Sequence, residues 1–222
     1  MKYEFTGQSK TVNGVTVHQI KRISDGLVGG WIESEKNLSQ KGKCFVYDNA
    51  MVSSNARVSG NAEVSGNAWI TDNAEVYGNA SVFGNAWVFD DAEVYGNAKV
   101  FGYASVYGYA RVYDNAIVSG YARVYGDARV SGNAKVSGNA SVFGNAVVSG
   151  DAKVFGYASV FGNASVSDNA KVYGNASVYD NVEVYGDAII CGDAEVSGNA
   201  VVYDNSKVSG NARVYGNDVI TD

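Results

Sequence analysis

A six-residue period runs from Phe45 to Asp218 without insertion or deletion, giving 29 consecutive hexads in one phase. Arg57-Val58-Ser59-Gly60-Asn61-Ala62 is a typical unit. The second position is Val in 27 hexads and Ile in two, Ile70 and Ile190; the sixth is Ala except at Val182, Ser206 and Asp218. An Ala and the Val that follows it are two residues apart, so on a strand both point to the same side, while the residues between and after them point away. Each hexad therefore reads as a short strand with one small and one branched apolar residue turned inward. The fourth and fifth positions are Gly-Asn, Asp-Asn or close variants. Both tolerate left-handed backbone angles and read as corners. Three such sides close a coil, and coils stacked at about 4.8 Å build a needle on the order of 45 Å long. Proline is absent and glycine abundant, a bias often seen in disordered chains. Those chains are poor in Val and aromatics, however, and here both are plentiful and strictly spaced.

The Val, the small residue two before it and the six-residue phase resemble the hexapeptide-repeat, left-handed parallel β-helix superfamily over about four-fifths of the chain. The resemblance implies an all-β triangular prism with 18 residues per coil. One feature departs from that family, which often has Gly directly after the aliphatic residue. Here Tyr, Ser or Phe stands there and Gly comes one later, so the outer faces are more aromatic. Residues 1–44 read as an N-terminal β-hairpin cap and residues 45–222 as the β-helix. Val12-Asn13-Gly14-Val15 has the form of a hairpin turn, followed by an alternating strand from Thr16 to Ile20. Gly29-Gly30-Trp31-Ile32-Glu33-Ser34-Glu35-Lys36-Asn37-Leu38-Ser39-Gln40 resembles the head that precedes hexapeptide arrays in phage and prophage proteins. Its expected work is to cover the open edge of the first coil. Val219-Ile220-Thr221-Asp222 shows no comparable cap.

Residues 18 apart share a face. The face containing Met51 carries Trp69 and Trp87 before the aliphatic position, and Phe89, Tyr107, Tyr125, Phe143, Phe161 and Tyr179 after it. That ladder stabilises a sheet face by itself. As an exposed stripe it would exceed the few hundred Å² a monomer usually leaves uncovered. We therefore expect burial in a homotrimer through Trp69, Trp87, Phe89, Phe143, Phe161 and Tyr179, since related helices form parallel trimers. Arg123 is the charge in the middle of this face. It either reaches a corner carboxylate such as Asp127 or meets an anionic ligand. Tyr103 and Tyr121 replace corner asparagines beside it. Arg123, Tyr103, Tyr107, Tyr121 and Tyr125 together suit a nucleotide, with guanidinium for phosphate and rings for bases. The face containing Phe45 carries Lys135, Lys153 and Lys171 on consecutive coils, a solvated row or an anion-binding stripe. The third face carries Arg57, Glu75, Glu93, Arg111 and Arg129, with opposite charges adjoining at Arg57/Glu75 and Glu93/Arg111, which reads as surface pairing.

Several chemistries lack their residues. The single histidine, His18, lies in the head, and no loop interrupts the hexads. Acyltransferases of the hexapeptide type use a catalytic histidine and often such a loop. No Cys/His spacing suggests a metal or cofactor. The net charge of −6 argues against coating long nucleic acid, and no apolar run suits a membrane span. Cys44 and Cys191 fall too far apart along a needle for a disulfide, which fits a cytoplasmic setting. The expectation is a non-enzymatic phage or prophage protein that sequesters a small anionic signal, such as a cyclic oligonucleotide of antiphage defence. The alternatives are a structural spacer or fibre component, and an acyltransferase.

Overall fold

Val and Ala alternate into one continuous core because the chain winds as a three-sided parallel β-solenoid. The computed structural model describes residues 1–221. Every hexad contributes a two-residue strand, and away from the two ends each pairs in parallel with the strands 18 residues before and after, as in Ser105↔Arg123 and Arg123↔Ser141. The strands sort into three sheets, one per face. Between coils the bonds repeat: Arg57 N–H donates to Ala74 O (2.9 Å) and Ser59 N–H to Val76 O (3.0 Å), while Asn61 N–H donates to Gly78 O (2.7 Å). The inward Ala and Val side chains are fully buried along nearly the whole length, from Ala50 and Val52 to Ala200 and Val202. Where the sixth position is Ser206, its hydroxyl is buried without a hydrogen-bond partner.

The corners separate two roles that the sequence presented as one. Only the fourth residue of the hexad has positive φ, whether Gly (Gly60, 66°), Ser (Ser54, 57°) or Asp (Asp48, 55°). A Cβ added at Gly96 would lie 2.8 Å from the backbone N of Asp114, so glycine there answers both the backbone angle and the close approach of the next coil. Aspartate at this position earns its place differently. Asp48 Oδ2 accepts from Gly66 N–H on the next coil (2.9 Å), and Asp180 Oδ2 from Gly198 N–H (3.0 Å). The fifth residue does not adopt left-handed angles, which corrects the expectation for both corner positions. Its asparagines instead form side-chain ladders. Asn61 Nδ2 donates to Asn79 Oδ1 at 3.0 Å, and Asn79 and Asn97 continue the chain at 3.1 Å.

The head begins with strand β1 (Tyr3–Val12) and strand β2 (Val15–Arg22), an antiparallel hairpin turning at Asn13 (φ 50°) and Gly14 (φ 82°). Strand β3 (Val28–Ile32) pairs antiparallel with β2 and, on its other edge, parallel with the Met51 strand: Trp31↔Met51 and Ile32↔Val52. Leu38 then bridges to Val58. The hexad phase starts at Phe45, but strand pairing crosses that boundary, and the last part of the head is already a coil of the solenoid. Tyr3, Ile20, Ile32, Leu38 and Phe45 fill the end of the core. At the other end burial declines, with Ile220 half-buried and Val219 exposed. Thr221 is exposed as well, and Asp222 lies outside the described residues.

Candidate functional site

Alternation places residues 121, 123 and 125 outward on one coil, and the 18-residue coil places 103 and 107 directly beside them. Tyr103 and Tyr121 stack at 4.9 Å with rings 5° from parallel, and Tyr107 and Tyr125 at 4.9 Å and 1°. Tyr103 and Tyr121 are 55% and 59% exposed, while Tyr107 and Tyr125 are half-buried. Arg123 is exposed between these two stacks. Four ion pairs occur among the described residues, Lys21–Glu4, Arg22–Asp25, Arg111–Glu93 and Arg213–Glu195. Arg123 belongs to none of them. The alternative pairing with Asp127 is therefore not made. The Tyr107 phenol is held above its ordinary pKa chiefly by burial and by Tyr125, with the Arg123 charge opposing. The guanidinium thus acts on the ring stack beside it and has no carboxylate to neutralise it.

The long aromatic ladder is continuous from Phe89 to Tyr179, each ring parallel to the next within 6° at 4.7–4.9 Å. Its rings cover one another and are half-buried without any partner chain. Stacking is also general to the third position of the hexad. Tyr77–Tyr95–Tyr113 lies on the Arg57 face, and Phe83–Phe101 and Phe155–Tyr173 on the Phe45 face. The rings thus keep part of their edges on the surface in the single chain. Trp69 is held internally, its Nε1–H donating to Ser53 Oγ at 3.1 Å, and it meets Trp87 edge-on. Trp87 is the exposed member of the set, at 48%.

Lys135, Lys153 and Lys171 stand in register on adjacent strands. They line a shallow groove of about 480 Å³ with Asn133, Asp151, Asn169 and Asp187. The two aspartates were missing from the sequence reading of this stripe, although their fifth hexad positions, two before Lys153 and two before Ile189, were legible. The groove therefore carries mixed charge. It also lies along the opposite edge of the Phe45 face from Tyr103 and Tyr121, so the structure divides the expected ligand set into two places. On the third face, Arg111 Nε reaches Glu93 at 3.3 Å and Tyr77 donates to Glu93 at 2.8 Å, as expected of a surface network. His18 packs edge-on against Phe5 in the head. Cys44 and Cys191 are both free and buried. Among the described residues, no helix is long and apolar enough to cross a membrane.

Against known families, the YdcK β-solenoid repeat matches residues 110–126 and 122–137. No curated protein matches the chain. The chain is a β-solenoid repeat protein. The matched stretch contains Tyr121, Arg123 and Tyr125.

Proposed function

We propose that this solenoid is a non-enzymatic binding protein that captures a small anionic nucleotide, with cyclic oligonucleotides as the ligand class. One observation carries the reading: an exposed, carboxylate-free Arg123 is set between two parallel tyrosine stacks on a rigid face. A guanidinium makes strong charge-assisted bonds to phosphate, and ring faces accept bases with little regard to sequence. Rigidity favours capture because little conformational freedom remains to be lost on binding. Stoichiometric binding suffices, so no turnover is invoked. The Met51-face ladder closes on itself ring by ring, and the reading does not require a trimer.

The test is depletion. Purified protein is mixed with a panel of cyclic di- and trinucleotides, the mixture is ultrafiltered, and the retained protein is denatured to release bound compound. Selective depletion with recovery of the intact compound is expected, and Arg123→Ala should weaken capture at least tenfold while leaving the far-UV spectrum unchanged. Undiminished capture by Arg123→Ala would remove the site, and absence of depletion across the panel would remove the function. In that case the continuous sheets and side-chain ladders favour a stiff structural spacer.

A further inference from the structure

We propose that Tyr121, Asn139 and Tyr157 form a slot one ring thick for the base of an adenine-type nucleotide, with Arg123 taking its phosphate. This rests on the binding reading above and specifies the ligand.

The corner that leads from the Phe45 face to the Met51 face carries, at the fifth hexad position, Tyr103, Tyr121, Asn139 and Tyr157 on successive coils. Tyr103 and Tyr121 occupy neighbouring rungs and stack. Asn139 takes the next rung, and Tyr157, 67% exposed, the one after. Parallel rings on adjacent coils of this molecule stand 4.7–5.3 Å apart. Tyr121 and Tyr157 are two coil steps apart, about 9.6 Å by the strand spacing. The space over Asn139 is thus one missing rung in a tyrosine ladder, and a planar ring fits it with an aromatic face on either side.

The floor of that space offers hydrogen bonds. On this same corner Asn67 donates to Asn85 at 3.1 Å and Asn175 to Asp193 at 2.8 Å, so the usual asparagine is occupied by its neighbour. Asn139 has tyrosines on both sides, and only its backbone N–H is engaged, with Gly156 O. Its amide keeps a donor and an acceptor side by side. That pair matches the donor–acceptor edge of adenine, the geometry by which Asn and Gln select this base in nucleic acids. The residues two before and two after it, Ser137 and Ser141, are small and leave the slot open. Arg123 follows Tyr121 by two residues and is in register with Ser141, which puts the cation at the rim where a sugar phosphate leaves the base. The lysine groove lacks these features, since Asp151 shares the Lys153 rung and Asp187 lies one rung beyond Lys171, so its charge is mixed.

Equilibrium dialysis of the full chain with AMP, UMP and ribose 5-phosphate, alongside the cyclic panel, tests the slot. AMP should bind at least tenfold tighter than the other two, and should shift the Asn139 side-chain amide resonances. Asn139→Tyr fills the rung. It should abolish AMP binding with a melting temperature equal to or above that of the parent, which separates occlusion from unfolding. Equal binding of AMP and ribose 5-phosphate, or full AMP binding by Asn139→Tyr, overturns the slot. If Arg123→Ala still loses capture in that case, the anion-binding reading stands without it. Binding of a cyclic panel member that Asn139→Tyr leaves intact likewise refutes the slot alone, whereas no binding of any probe refutes both.

Discussion

Asn37 in the head and Asn163 in the solenoid are the same residue type engaged through the same amide, yet they do different work. Asn37 is fully buried. Its Nδ2 donates to Ser54 O (3.0 Å) and Ala56 O (2.9 Å), and its Oδ1 accepts from Ser34 N–H (2.8 Å). One side chain thereby pins the turn before Leu38 to the corner of the next coil. Asn163 sits exposed in a ladder, accepting from Asn145 at 3.1 Å and donating to Asn181 at 2.9 Å. Water can replace those bonds, and the backbone pairing of adjacent coils persists without them. In the head each contact is made once and has no substitute. In the solenoid each is repeated, and stability approaches a sum over neighbouring coils.

The largest expected effect breaks the head. Asn37→Ala leaves the half-buried Ser34 N–H and the carbonyls of Ser54 and Ala56 without this partner, a loss of about 2–3 kcal/mol. Urea unfolding should show the first coils melting ahead of the rest. A single transition at the parent midpoint would mean that the head contributes no such anchor.

An intermediate effect concerns Tyr3, whose hydroxyl donates to Leu38 O at 2.8 Å. Burial, with Glu35 and Cys44 nearby, pushes its phenol up to about 12 from 10.0. A raised folded-state pKa means that the unfolded chain ionises first. The stabilisation is whole below pH 10 and is lost as pH rises toward 12. Tyr3→Phe should cost about 1 kcal/mol at neutral pH and flatten that alkaline decline. An unchanged alkaline profile in the variant would assign the decline to other groups.

The smallest effect lies in the solenoid. Asn163→Ala removes two solvent-exposed bonds and should shift stability by less than about 0.5 kcal/mol. A loss comparable to that of Asn37→Ala would show the ladder to be cooperative and erase the contrast between the two regions.

Much of the solenoid was legible before any coordinates. The inward Val and Ala, the three faces and the rings that stack all follow from counting by two, six and eighteen, because backbone pairing at fixed spacing leaves little freedom. The same counting named Tyr103, Tyr121 and Arg123 as neighbours. It did not separate the fourth corner residue, which supplies the backbone angle, from the fifth, which supplies a side-chain ladder. Both positions are rich in turn formers, and composition does not distinguish φ from side-chain bonding. Nor did it show how far each ring of the Phe89–Tyr179 ladder is covered by its neighbours, since parallel stacking hides ring faces that a sequence displays as outward.

By itself, then, the sequence determined which residues face the core and which share a face, because a strict period in a hydrogen-bonded coil converts position directly into direction. The tertiary structure decided who meets whom. Arg123 is without a carboxylate, Asp151 and Asp187 enter the lysine groove, and Asn139 lies between two tyrosines with its amide unbonded. β3 joins the solenoid sheet before the hexads begin. Such partnerships depend on side-chain reach and rotamer across coils, and those are set by distances that a repeat pattern does not encode.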